Sequence, residues 1–168
     1  MTIVFLNGEF MPMAEAKISP MDRGFLFGDG IYEVIPSYAG RCIGLLPHLQ
    51  RMQAGLQAIG MPLPMEINAL KTIVERLISD NGSSNLGIYI HVSRGADIKR
   101  SHAYPVNVAQ TVFAFTFEIP CEPIADKSLV KGYKVISAED LRWKRCQVKS
   151  TSLLGNVMHF QQGQDAGV

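Results

Sequence analysis

Apolar and polar residues alternate along several short stretches of the chain, and this period of two predicts β-strands. The alternation is clearest from Leu86 to Val92, and in Val112–Ile119 three phenylalanines fall on one face. Asn7-Gly8 and Ala39-Gly40 are turn pairs that join neighbouring stretches into hairpins. The predicted strands are Ile3–Leu6, Glu9–Met11, Ile31–Tyr38, Arg41–Leu45, Leu86–Val92, Val112–Ile119 and Tyr133–Ser137.

Apolar residues at helical spacing predict three helices. One has Pro47 in its first turn and ends at Gly60, a second runs from Pro64 to Asn81-Gly82, and the third carries Leu153, Leu154, Val157 and Met158. The segment from Ser19 to Gly30 has no clean period, and its three glycines and two phenylalanines predict a shaped, partly buried loop. Strands and helices in this order predict an α+β fold rather than a regular βαβ winding.

Domain organisation is indicated by the stretch between Glu122 and Gly132, which is typical of a loop leading into a new structural unit. We expect an N-terminal two-layer α+β domain over residues 1–120, an interdomain loop over 121–131, and the incomplete start of a second domain over 132–168. The segment after Gly132 is too short for an independent core, so the sequence looks like part of a longer protein or a natural short form.

Composition narrows the class of function. Hydrophobic residues make up 47% of the 168 residues and the net charge is +1, which predicts a folded protein without the field needed to attract nucleic acid. No apolar run approaches the ~20 residues that cross a bilayer, and the N-terminus lacks signal-peptide features, so a cytoplasmic protein without a membrane partner is expected. Three cysteines at unrelated spacings predict reduced thiols, and four histidines without ligand spacing predict no metal site.

Taken singly, the candidate chemical motifs are weak. Gly24, Gly28 and Gly30 lack the Lys-Ser/Thr of a phosphate-binding loop, which favours a structural turn. Arg100 and His102 are two residues apart and could hold a carboxylate together, although a solvated loop charge also fits this spacing. Lys149 follows an apolar alternation and could attack a carbonyl as a free amine, although most lysines are simply solvated.

Three longer blocks change this picture. Asp22–Val34 resembles the DRGxxFGDGxYE block of the fold-type IV pyridoxal-phosphate enzymes, and His48–Met52 resembles their HxxRL block. Leu141–Ser150, together with Leu153–Val157, resembles their RWxRCxIKSxNLLxxV block. The family includes D-amino acid aminotransferase, branched-chain aminotransferases and aminodeoxychorismate lyase.

The resemblance implies pyridoxal 5'-phosphate as cofactor and a role for five residues. Lys149 matches the lysine that forms the Schiff base with the cofactor and moves the proton at the substrate Cα. Arg51 matches the arginine that binds the cofactor phosphate, and Tyr32 matches the tyrosine at the substrate site. Arg100 and His102 match the RxH pair that holds the substrate α-carboxylate across the interface of a homodimer.

Among the members of the family, the RxH pair favours a transaminase that exchanges an amino group between a D-alanine-like D-amino acid and a 2-oxo acid. A branched-chain aminotransferase or aminodeoxychorismate lyase is the alternative. A noncatalytic dimerisation module is a further alternative, because the family's second domain supplies a glutamate that faces the pyridine nitrogen, and residues 1–168 do not include it. Thr151 and Ser152 stand where the family usually has Leu-Asn, and Gln147 where Asp is common. These departures leave Lys149 intact but change the polar groups around it.

Overall fold

The computed structural model describes residues 1–82, 84–122, 124–129, 132–140 and 146–168. The strands are β1 (Ile3–Leu6), β2 (Glu9–Pro12), β3 (Gly30–Tyr38), β4 (Arg41–Cys42), β5 (Leu86–Ser93) and β6 (Thr111–Glu118), and the helices are α1 (Arg23–Phe27), α2 (Leu45–Ala58), α3 (Ile67–Asn81) and α4 (Leu154–Asp165). Within the described residues, the six strands form one antiparallel sheet in the spatial order β2-β1-β6-β5-β3-β4.

Helices α2 and α3 cover one face of the sheet and enclose the core. Alternate residues of β3 and β5 point to this face, and α2 meets them with a stripe at spacings of three and four residues. The fully buried apolar side chains include Ile31, Ile35, Leu49, Met52, Leu56, Leu77, Ile88 and Ile90. The α+β prediction is therefore confirmed, with both helices on one side of an antiparallel sheet.

The opposite face of the sheet carries a row of aromatic rings. Tyr32 of β3 stacks on Tyr89 of β5 with ring centroids 5.5 Å apart, and Tyr89 lies 5.1 Å from Phe115 of β6. Phe113 and Phe117 extend the row on either side of Phe115. Burial raises the pKa of the Tyr89 phenol to about 12, so this hydroxyl remains protonated at neutral pH. The row ends at Tyr32, beside the candidate site.

Three predicted elements differ from the structure. The segment predicted as a loop contains helix α1, because the Asp22 side chain caps it by accepting from the Gly24 amide at 2.8 Å. Strand β4 stops at Cys42, since Gly44 adopts φ +65° and α2 begins directly after it. The strand predicted over Tyr133–Ser137 is wrong: this segment has no regular structure, and Tyr133 is 87% exposed.

The C-terminal part forms the third predicted helix as α4, which buries none of its side chains. The predicted motif residues 141–145 lie outside the described part of the chain, as do residues 123, 130 and 131 of the predicted interdomain loop. Among the described residues, no helix combines the length and apolarity that crossing a membrane requires. The division into two domains stays a prediction.

Candidate active site

Lys149 is held at the edge of the sheet by backbone pairing with the start of β3. The Tyr32 amide donates to the Lys149 carbonyl at 3.1 Å, and the Thr151 amide donates to the Gly30 carbonyl at 3.0 Å. β4 pairs with only the last two residues of β3, which leaves the first part of this edge free for residues 149–151. Val148, just before the lysine, is 7% exposed and joins the core. The segment is therefore anchored on both sides of Lys149.

A cavity of about 630 Å³ brings three of the predicted site residues together, since Lys149, Tyr32 and Arg51 all line it. The Nζ atom of Lys149 lies 4.1 Å from the centroid of the Tyr32 ring, a cation–π distance. In the part of the chain that the structure describes, this amine has neither a hydrogen-bond acceptor nor an acidic partner. The cavity thus holds an unpaired amine and a guanidinium, and both charges favour an anionic ligand.

A buried carboxylate orients the guanidinium of Arg51. Glu33 of β3 is 0% exposed and accepts from Nε and from Nη2 of Arg51, both at 2.6 Å. His48 Nδ1 lies 2.8 Å from Glu33 Oε2, the oxygen that also accepts from Arg51 Nη2, and donates to it. Burial alone would raise the pKa of Glu33, but the hydrogen bonds from Arg51 and His48 outweigh it and hold that pKa below its usual range. Arg51 itself is 54% exposed and lines the cavity, so its remaining N–H groups are accessible to a ligand.

Two of the three positions that depart from the family pattern hold the lysine segment against the end of α1 and the start of β3. The Ser152 hydroxyl donates to the Gly28 carbonyl at 3.3 Å, and the Thr151 hydroxyl to the Gly30 carbonyl at 3.3 Å. Gly28 ends α1 with φ +64°, where a Cβ would clash with Ser152 Oγ. The glycine prediction of a structural turn is confirmed at this position, and the turn also supports the lysine.

We expect Gly28→Ala to lower the free energy of unfolding by about 2–3 kcal/mol, because alanine would have to adopt a left-handed backbone conformation and its Cβ would overlap Ser152. Gly44→Ala is the matched control, since Gly44 has φ +65° but its added Cβ would lie 3.6 Å from His48. That variant should lose only the backbone part, about 1 kcal/mol. Urea unfolding of both variants measures the difference in stability. Equal losses of stability would contradict a role for Gly28 in packing against the lysine segment.

The structure places Arg100 and His102 elsewhere. Both side chains are exposed and lie against the ring of Phe27, at 5.0 Å for the Arg100 guanidinium carbon and 5.2 Å between the ring centroids for His102. Neither residue lines the cavity that contains Lys149. Within one chain, therefore, Tyr32, Arg51 and Lys149 come together and the Arg100–His102 pair does not join them.

Comparison with known proteins identifies the family of this chain. A family model described as amino-transferase class IV matches residues 30–168, which include the whole of β3, helix α2 and the lysine segment. The chain belongs to the class IV amino-transferases. The predicted resemblance to the fold-type IV enzymes is confirmed by this match.

Curated relatives of this class IV chain are D-alanine aminotransferases. The enzyme of Staphylococcus epidermidis is 42% identical over 161 residues, which are 94% of this chain and 55% of that protein. The enzyme of Bacillus licheniformis is 37% identical over 163 residues, 97% of this chain and 56% of that protein. The chain thus spans about half the length of the curated relatives it matches.

Solved structures share the fold. A branched-chain aminotransferase from Thermoproteus uzoniensis, solved with norvaline, has a TM-score of 0.80 at 20% identity and covers 99% of this chain and 57% of that one. The T.th. branched-chain amino acid aminotransferase, solved with pyridoxamine 5'-phosphate, has a TM-score of 0.65 at 22% identity and covers 70% of this chain and 40% of that one. Both solved structures are similar to this chain in fold.

Two residues in the network around Arg51 have no role predicted from the sequence. Glu33 and His48 occur within the matching blocks without an assigned function, yet they hold Arg51. Glu33 had a detectable signal, because it is the one acidic residue in the predicted strand Ile31–Tyr38 and stands at an inward position between Ile31 and Ile35. A charge at such a position needs a partner. His48 had no comparable signal, since its spacing from Arg51 fits a solvated helix face equally well.

Proposed function

We propose that the protein carrying this chain is a pyridoxal-phosphate-dependent transaminase that exchanges an amino group between a D-amino acid, with D-alanine as the type substrate, and a 2-oxo acid. The observation that carries this proposal is the meeting of Lys149, Arg51 and Tyr32 in one cavity of a class IV chain. The cavity volume of about 630 Å³ lies within the range of ordinary cofactor sites.

The residues present fit pyridoxal 5'-phosphate. Glu33 occupies the Nε side of the Arg51 guanidinium and leaves the edge formed by Nη1 and Nη2 for a phosphate, which is a bidentate geometry. Lys149 provides an amine without a competing acidic partner among the described residues, and Tyr32 lies directly beneath it. When bound, the cofactor supplies an electron sink for the charge left at the substrate Cα. Lys149 would hold and move the Cα proton.

The preference for a D-amino acid rests on the relatives named D-alanine aminotransferase and on the Arg100–His102 pair. A guanidinium beside an imidazole can bind one carboxylate through several charge-assisted hydrogen bonds. Because the pair lies outside the Lys149 cavity of its own chain, we propose a homodimer in which each pair serves the cavity of the other copy. The partners are then small amino and 2-oxo acids, and the protein is expected in the cytoplasm.

The test is a transamination assay with matched substrates. With pyridoxal phosphate present, the protein should convert D-alanine and 2-oxoglutarate to pyruvate and glutamate, and kcat/KM for D-alanine should exceed that for L-leucine by at least about a hundredfold. A preference for L-leucine would overturn the choice of D-amino acid. No turnover of either substrate, together with no visible absorption band on adding the cofactor, would overturn the transaminase proposal and favour a dimerisation module.

A further inference from the structure

The Arg100–His102 pair lies on an exposed loop, yet both of its side chains share one aromatic support. The Phe27 ring, at the end of α1, is half-buried and lies 5.0 Å from the Arg100 guanidinium carbon and 5.2 Å from the His102 ring centroid. The guanidinium of Arg23 lies 4.9 Å from the same ring. Phe27 is thus in contact with two exposed cationic or cation-forming side chains and one buried arginine.

The backbone of the same loop is held by Arg23. Its Nη1 donates to the Ser101 carbonyl at 2.5 Å and its Nη2 lies 3.4 Å from the His102 carbonyl. Arg23 is 4% exposed, and Asp29 fixes its Nε at 2.8 Å. A buried guanidinium paired with a carboxylate that is 13% exposed has few alternative positions, so it provides a rigid attachment for the loop.

We propose that Phe27 and Arg23 are positioning residues for substrate recognition: they hold the Arg100–His102 loop in the conformation that binds the substrate α-carboxylate. This inference rests on the proposed function, because it needs the pair to contact substrate. Arg23 fixes the two loop carbonyls, and the Phe27 ring restricts the directions in which Arg100 and His102 can point.

The physical reason is preorganisation. An exposed arginine samples many rotamers, and ordering it on binding costs affinity. A ring face that attracts the guanidinium removes part of this cost before the ligand arrives. Lys149 and Arg51, which would hold the cofactor, line a cavity that Phe27 does not line. The effect of Phe27 should therefore appear in substrate affinity and leave cofactor binding unchanged.

Phe27→Leu is the test variant, since leucine keeps most of the apolar volume and removes the aromatic face. Phe25→Leu is the matched control, because Phe25 lies on the same five-residue helix but is 71% exposed. We expect Phe27→Leu to raise KM for D-alanine about five- to tenfold with little change in kcat. Phe25→Leu should behave as the parent protein, and Phe27→Tyr, which keeps a ring, should restore KM.

Two further readouts separate a positioning role from a general loss of structure. Amide hydrogen exchange over residues 99–103 should accelerate in Phe27→Leu and not in Phe25→Leu, and cofactor affinity measured from the absorption band should be the same in all variants. An unchanged KM, or an unchanged exchange rate at residues 99–103, would overturn the inference but would not affect the proposed transaminase function. A parent protein that turns over no amino acid would instead overturn the proposed function, and with it the substrate role of Phe27.

Discussion

Replacing Lys149 with alanine is expected to abolish both the visible absorption band formed with pyridoxal phosphate and transamination, with a fall in kcat of at least about a thousandfold. The reason is geometric. Backbone pairing with β3 fixes the lysine segment, and the amine lies 4.1 Å from the Tyr32 ring in the same cavity as Arg51. No other lysine lines that cavity, as far as the described residues extend. Absorption spectra during cofactor titration and a coupled assay measure the two effects.

Exposed lysines also react with pyridoxal phosphate, so a control variant is needed. Lys17 is exposed and outside the Lys149 cavity, and Lys17→Ala should keep the band and the activity. A band that persists in Lys149→Ala would contradict the assignment of the amine.

The same variant tests the proposed homodimer. Mixing Lys149→Ala with Arg100→Ala protein should restore activity, because a hybrid dimer in which sites are built from both copies has one site with neither substitution. Activity that stays absent in a mixture shown to contain hybrid dimers would place the Arg100–His102 pair outside the partner's site.

Asp29→Asn is expected to lower the free energy of unfolding at pH 7 by about 3 kcal/mol, because it leaves two buried guanidiniums without a counter-charge. Arg23 and Arg94 are 4% and 8% exposed, and both donate to the Asp29 carboxylate at 2.8 Å. Asparagine keeps the shape of the side chain but removes the charge and replaces one accepting oxygen with an amide group that donates. Urea unfolding of the parent and variant proteins measures the loss.

The pH dependence of this loss has a definite sign. Burial alone would raise the pKa of Asp29, but the hydrogen bonds from Arg94 and Arg23 outweigh it and lower that pKa from its ordinary value of 3.8. A carboxyl whose pKa is lowered by folding contributes its full stability above the unfolded value and loses it as the pH falls through the folded value. The gap between parent and Asp29→Asn should therefore be constant near neutral pH and narrow below about pH 4.

Asp126 is the control for this experiment. Hydrogen bonds from Ser128 also lower its pKa, but the residue is fully exposed and pairs with no buried cation among the described residues. Asp126→Asn should leave the free energy of unfolding unchanged at pH 7 and at pH 3. A gap for Asp29→Asn that is as large at pH 3 as at pH 7, or one no larger than that of Asp126→Asn, would show that charge pairing with the two arginines is not what stabilises this region.

Most regular elements were predictable because their apolar spacing is unambiguous. The period of two in β5 and β6, and the stripes of α2 and α3, reflect side chains that all face one helix-covered side of the sheet. Helix α1 was missed because five residues are too few to show a period, and it depends on the Asp22 cap and the Gly28 turn. Tyr133–Ser137 alternates like a strand, but alternation alone does not provide a hydrogen-bonding partner.

For the site, residue identity and local order were sufficient to select Lys149, Arg51 and Tyr32, because long blocks of matching sequence carry them. The order of residues in the sequence does not give the spatial distance between residues that are about a hundred positions apart. The free edge of β3 brings the lysine segment beside Tyr32, and the buried Glu33 turns Arg51 toward the same cavity.

The amino-acid sequence by itself determined the α+β class, the two amphipathic helices and the family of this protein, since each depends on residue types at short and regular spacing. Only the tertiary structure decided that Glu33 and His48 hold Arg51, and that Phe27 and Arg23 hold the Arg100–His102 loop. These contacts join residues from separate elements, and their energies depend on burial and on distance. Both quantities arise only when the sheet and its helices have packed together.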